Sequence, residues 1–207
     1  MNVDSVAEEK YRISSAGYLE RAEALVASIS KNSLFYAAFE IRCGIEARMR
    51  EYLEAREDVS EKKKQGWGVA RLGKTIDAVF DSKNGLSDKI VRLQFFDRSS
   101  KEILYQLYYT PVSSSLRAIG ERLGDYLHAQ RDITSMTPEW WQKFGENIEL
   151  GLAGLRDTNR GTIMGPPMFG PDKRLSLTLS PPPPKPSKMI VGMNLIMNAS
   201  RHDAFPD

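Results

Sequence analysis

At 207 residues, 41% hydrophobic and 27% charged, the chain can bury one core of normal size plus an appendage and has the composition of an ordinary globular protein. Its net charge of +2 gives no overall pull toward nucleic acid or membrane, so a phosphate-binding surface would have to be a local cluster of cations. One cysteine, Cys43, and two histidines, His128 and His202, exclude an internal disulfide and a Cys/His zinc site.

The N-terminal residues MNVDSVAEEKYR lack an apolar signal core, and no run approaches the roughly 18 apolar residues of a membrane span. A cytoplasmic protein is expected, with no membrane association, no metal and no cofactor. Proline then divides the chain. Pro111 and Pro138 precede residue 161, and nine more follow it, including PPPP at 181–184. Residues 1–160 are therefore free to be helical, and residues 161–207 form a Pro-rich extension. That extension holds five basic and three acidic residues of the 29 and 27 in the whole chain, which leaves residues 1–160 neutral.

Asp4 or Ser5 can cap a first helix through VAEEKYRISSAGYLERAEALVASIS, with Tyr11, Tyr18, Leu25 and Ile29 near one stripe. Asn32 or Ser33 can cap a second, in which Leu34, Ala38, Ile41, Ile45, Met49 and Tyr52 recur at spacings of three and four. The two read as an antiparallel hairpin. Cys43, flanked by helix, reads as a small buried side chain. A charged connection, EDVSEKKKQGWG, leads to a third helix at about LGKTIDAVFDS that stops near Asn84 and Gly85.

The segment DKIVRLQFFDRSSKEILYQLYY is ambiguous between strand and helix. Helix is the reading favoured here, because an isolated strand has no sheet partner nearby. Ser113 or Ser114 then caps SSLRAIGERLGDYLHAQ, with an apolar seam of Val112, Leu116, Ile119, Leu123 and Leu127. Thr137 and Pro138 open a last long helix presenting Trp141, Phe144, Ile148, Leu152 and Leu155. The expected fold is all-α, a bundle of five to six helices over residues 1–160. In the extension at residues 161–207, RLSLTLS and MIVGMNLIM read as one or two short strands joined by the stiff spacer PPPPKPS. They can form a hairpin or add to a partner's sheet edge.

Two stretches raise the question of chemistry. GVARLGKT, from Gly68 to Thr75, satisfies the phosphate-loop pattern G-x-x-x-x-G-K-[ST], which would suggest a nucleotide hydrolase. A working phosphate loop, however, joins a buried strand to a helix, and the residues upstream, SEKKKQGW, contain no apolar run. The plainer reading is a loop leading into the third helix. The run Lys62, Lys63 and Lys64 reads as solvated loop rather than a phosphate contact.

The second stretch is RLGDYLHAQRD, Arg122 to Asp132. On a helix Arg122, Asp125 and His128 follow an i, i+3, i+6 ridge, so Asp125 can reach either neighbour and can fix the tautomer of His128 and raise its pKa. Arg117, Glu121 and Gly124 lie near the angular position of His128, which would make a polar groove with Arg117 and Glu121 as binding residues. Arg and His suit metal-free RNA cleavage, in which the 2′-hydroxyl attacks the adjacent phosphate. His128 would move the proton, Asp125 would orient it, and Arg122 would clamp the phosphate.

With SLFYAAFEIRCGIEARMREYL early and LRAIGERLGDYLHA late, the layout resembles the HEPN superfamily (higher eukaryotes and prokaryotes nucleotide-binding). Its members are small helical bundles with an R-x(4–6)-H motif near a late helix. Arg122 and His128 enclose five residues, within that range. The resemblance spans roughly residues 15–157. It implies an RNA-binding or RNA-cleaving protein in bacterial defence or a toxin–antitoxin pair, acting as a homodimer with composite sites. Leu123 stands where active family members typically carry a polar residue. A different class remains open beside this one: a non-catalytic dimerisation module that docks a protein partner through residues 161–207.

Overall fold

The computed structural model describes residues 13–28, 30–57, 59–66, 68–80, 88–128 and 136–166, with the backbone of three strands at 168–169, 175–176 and 192–198. It contains six α-helices: α1 (Ser15–Ala27), α2 (Lys31–Glu54), α3 (Glu61–Lys64), α4 (Val69–Phe80), α5 (Ser114–Leu127) and α6 (Pro138–Arg160). The chain is mostly helical, as expected. The starts follow side-chain capping. Ser14 Oγ accepts the Gly17 N–H, and Thr137 Oγ1 accepts that of Trp140, with Pro138 in the first turn. Before α2 the cap is Ser30 rather than Asn32 or Ser33. Ser33 instead sits at the third helical position and returns a hydrogen bond to the Ser30 N–H, closing a capping box. The first helix starts at Ser15 with Ser14 as its cap, inside the longer helix expected, and the expected caps Asp4 and Ser5 lie outside the described residues.

The apolar stripes read from spacing in α2, α5 and α6 line the core, whereas in α1 the buried positions are Ser15, Gly17 and Ala22, and Tyr18 and Leu25 of the expected stripe are only half-buried. Ala38, Ile41, Ile45, Met49 and Tyr52 of α2 are buried, as are Leu116, Ile119 and Leu123 of α5 and Phe144, Ile148, Leu152 and Leu155 of α6. Close helix contact uses missing side chains. A Cβ at Gly44 would lie 3.1 Å from the Tyr18 Cβ, and one at Gly151 would lie 2.8 Å from Ile41 Cγ2.

One expected helix is not formed. Residues 88–109 make an antiparallel hairpin, β1 (Ile90–Phe96) and β2 (Ile103–Tyr109). Val91, Leu93 and Leu107 and Tyr109 alternate onto the buried side, and Phe95 stacks on Tyr105 at 4.4 Å. The turn is set by Asp97, whose Oδ1 accepts the N–H groups of Ser99 and Ser100, with Lys101 at φ 60°. The missing sheet partner comes from the distant tail. Strand β5 (Gly192–Asn198), which overlaps the stretch read as strand-like, pairs antiparallel with β1 in the order β2-β1-β5, setting Leu195 opposite Leu93 and Met197 opposite Val91. Within RLSLTLS, only Leu175–Ser176 (β4) are described as strand, paired with Met168–Phe169 (β3).

The domain boundary expected at residue 160 falls inside packed structure. Ile163 is fully buried, and its N–H and that of Thr162 both donate to Tyr108 O. The buried Arg48 donates from Nη2 to Gly161 O at 3.0 Å and from Nη1 to Glu51 Oε2 at 3.0 Å, and it lies over the Tyr52 ring. Tyr52 in turn donates to Thr110 O. Tyr109 is buried beside this network, and burial pushes its phenol well above its ordinary pKa.

Candidate functional site

Helix α5 carries Arg117, Glu121, Arg122 and Asp125 and ends just before His128, and its surroundings divide them. The face with Arg117 and Glu121 is turned to α4. Arg117 Nη1 donates to Gly73 O and to Asp77 Oδ1, both at 2.9 Å, and Glu121 Oε1 accepts the Ala70 N–H at 3.0 Å. Glu121 thus satisfies one of the open donors at the start of α4, where a carboxylate is favoured. In place of an open groove lined by these two side chains, the structure has a clasp between two helices.

This clasp also disposes of the phosphate-loop geometry. The helix starts at Val69, three residues earlier than expected, so Gly73, Lys74 and Thr75 lie inside α4 with their backbone groups in the helix. The element before it is the short helix α3 rather than a strand. A Cβ at Gly73 would lie 2.9 Å from Arg117 Cδ, so this glycine makes room for a guanidinium of its own chain. Lys64 pairs with Glu61 at 2.8 Å, and Lys62 and Lys63 are exposed.

Arg122 faces the other way, toward α6. Its Nε donates to Asn147 Oδ1 at 3.0 Å. Asn147 is itself fixed, because its Nδ2 donates to Lys143 O at 2.7 Å and to Tyr126 Oη at 3.4 Å. Arg122 is exposed and borders an open groove of about 760 Å³ between α5 and α6, whose wall includes Asp88, Ser115, Leu150 and Asp157. At the far end of that groove Asp88 Oδ1 accepts the Ser114 N–H at 2.6 Å, so the N-terminus of α5 already holds a carboxylate.

Asp125 is exposed one turn beyond Arg122. The expected ridge breaks at its last member. α5 ends at Leu127, and His128 is its C-cap with extended backbone, φ −72° and ψ 145°. His128 is exposed at the helix end. Leu123 is fully buried, in contact distance of the place a Gly151 side chain would take. The position after the arginine therefore points into the core.

Spacing gave no sign of Asn147, nor of Arg42. The Arg42 guanidinium lies across Gly124 of α5, its Cζ 2.9 Å from where a Cβ would stand. The signal available for that contact was the glycine itself, inside an otherwise amphipathic helix. Among the described residues no group of three or more His, Cys, Asp or Glu side chains is arranged to hold a metal ion, and no helix is long and apolar enough to cross a membrane. Comparison with protein-family models, with curated proteins and with solved structures finds no match.

Proposed function

We propose that the protein binds single-stranded RNA at the C-terminal end of α5 and cleaves it there, with Arg122 holding the scissile phosphate and His128 moving the proton. The observation that carries this reading is the anchored arginine. Asn147 fixes Nε of Arg122, and among the described residues the two Nη groups carry no hydrogen bond. A guanidinium held in this way loses little further side-chain entropy when it accepts a phosphate, and its fork matches two phosphate oxygens.

In the proposed reaction the 2′-hydroxyl oxygen attacks the adjacent phosphorus and its proton passes to the His128 imidazole. The phosphorus–5′-oxygen bond then breaks, the departing 5′-oxygen takes a proton from water and His128 returns its own to solvent, leaving a 2′,3′-cyclic phosphate and a 5′-hydroxyl end. Arg122 offsets the charge that grows on the phosphate oxygens. Asp125, one turn along α5, is the orienting partner proposed for His128.

Purified protein is expected to cut oligouridine in EDTA and to yield cyclic-phosphate ends. His128→Ala should bind but not cut, and Arg122→Gln should do neither well. Equal cutting by wild type and both variants would end this assignment.

A further inference from the structure

The two edges of the three-stranded sheet are closed differently. On β2 the outer edge is held by the residues directly after α6. The N–H groups of Thr162 and Ile163 donate to Tyr108 O, and the Tyr108 N–H donates to Thr162 Oγ1. Ile163 is fully buried, so this cover belongs to the core. On β1 the outer edge is held by β5, in a register of seven pairs from Ile90–Asn198 to Phe96–Gly192. That register sets Met193, Leu195 and Met197 opposite Phe95, Leu93 and Val91, of which Leu93 and Val91 are fully buried. Pairing with β1 is the principal contact of β5 among the described elements. Ser176 of β4 and Gly192 of β5 are joined by 15 residues, five of them proline. Proline donates no hydrogen bond to a sheet, and a tether of that length reaches up to about 50 Å.

We infer that β5 is an exchangeable strand and that the β1 edge accepts residues 192–198 of a second copy, so that two chains complete each other's sheets. The inference is independent of the RNA reading above. The same segment of a second copy offers the same backbone bonds and the same residues in the same register, so exchange costs no contact. GMNLIMN has no charged residue, and β1 has only Arg92, so no like charges oppose pairing between chains. What favours β5 of the same chain is the tether alone, which gives a local concentration on the order of 1 mM. The hairpin does not depend on β5 for its place. Val91, Leu93, Leu107 and Tyr109 are buried in one cluster with the helices, and β2 keeps its contacts with residues 162–163. Release of β5 is therefore a local opening rather than global unfolding.

The test uses full-length chains in which Cys43→Ala removes the native thiol. One chain carries Gln94→Cys and the other Asn194→Cys, positions that face each other in the register and lie within disulfide reach in an antiparallel pair. Mixed and oxidised with diamide, the two should give a disulfide-linked dimer of unlike chains, read by mass spectrometry. Its rate per chain should rise about tenfold when both chains are tenfold more concentrated, as capture of an opened strand by a second molecule requires. A synthetic peptide of residues 188–201 should suppress the dimer, and a shuffled peptide should not. Gln94→Cys mixed with Asn198→Cys, about 13 Å out of register, should give little product. Equal yields from the two mixtures would mean random collision and overturn the proposal. Suppression by the shuffled peptide would mean a general apolar surface and overturn it as well. A chain bearing both Gln94→Cys and Asn194→Cys reports the alternative. If it closes internally while the mixture gives no dimer, β5 stays with its own β1 and there is no exchange. If neither disulfide forms, β5 does not hold the β1 edge and the proposal falls with it.

Discussion

Arg122 on α5 is tied to Asn147 on α6 by a single hydrogen bond from Nε to Oδ1 at 3.0 Å. In the RNA-binding reading proposed above, Arg122 would supply charge and Asn147 position. Arg122→Gln is expected to weaken oligouridine binding by about 10- to 100-fold, the range for a charge-assisted contact, and to reduce its salt dependence. Asn147→Ala should cost about three- to tenfold and leave the salt slope unchanged, because the cation remains. Fluorescence anisotropy at several salt concentrations reads both quantities. Equal salt slopes for wild type and Arg122→Gln would remove Arg122 from the phosphate site.

Gly73 should be intolerant where a helix glycine is ordinarily improvable. Gly to Ala inside a helix gains about 1 kcal/mol, but here the methyl group would meet an Arg117 side chain pinned by Gly73 O and Asp77. Gly73→Ala is expected to destabilise by about 1–2 kcal/mol in urea unfolding. The same substitution in an Arg117→Ala background should be neutral or stabilising. Lys74→Ala, in the same helix, should fall within about 0.5 kcal/mol of wild type and leave calorimetry with ATP unchanged.

Arg48 joins α2 to the segment that follows α6, through Gly161 O and Glu51. Arg48→Ala should destabilise by about 2–4 kcal/mol, since it empties a buried site and leaves a carbonyl without its donor. Arg48→Lys should recover little, because an ammonium cannot reach two acceptors in the fork geometry. Chemical denaturation at neutral pH checks both.

Cys43 is half-buried, and burial, with Glu46 and Glu40 nearby, pushes its thiol up to about 11. The thiolate is the reactive form, and its fraction falls tenfold for each unit of pKa above the pH. Alkylation by iodoacetamide at pH 8 should therefore run about a hundredfold slower in the folded protein than in urea. The difference should narrow as pH rises toward 11. Equal rates at pH 8 would mean that the thiol is not desolvated as described.

Truncations should distinguish the two parts of the extension. Removing residues 161–207 takes away Ile163, the Gly161 acceptor and the Thr162 contacts with Tyr108. The loss of one buried aliphatic residue alone is worth about 2–5 kcal/mol, and the bundle should unfold at much lower urea. Removing residues 170–207 takes β5 off the β1 edge but spares those contacts. Its helical circular dichroism should persist.

The sequence by itself determined the helices that bury one continuous stripe. The stripes of α2, α5 and α6, the Thr137–Pro138 start and the interruption at Pro111 follow from local rules: a 3.6-residue period, side-chain capping and a missing N–H. It also held the alternation of IVRLQFF and the turn signal at Asp97, Ser99 and Ser100. These did not decide for a hairpin, because a strand is stabilised by a partner that composition cannot locate. That partner, β5, lies about a hundred residues away in sequence and was paired only by the tertiary fold. The same limit applies at the site. Spacing placed Arg117, Glu121, Arg122, Asp125 and His128 on one segment, but what each side chain meets depends on neighbouring helices. Packing of α4 and α5 engaged Arg117 and Glu121 in a clasp, and α6 fixed Arg122 through Asn147. The end of α5 at Leu127 turned His128 off the helical ridge. Such contacts join residues distant in the chain, and only the packed structure selects among them.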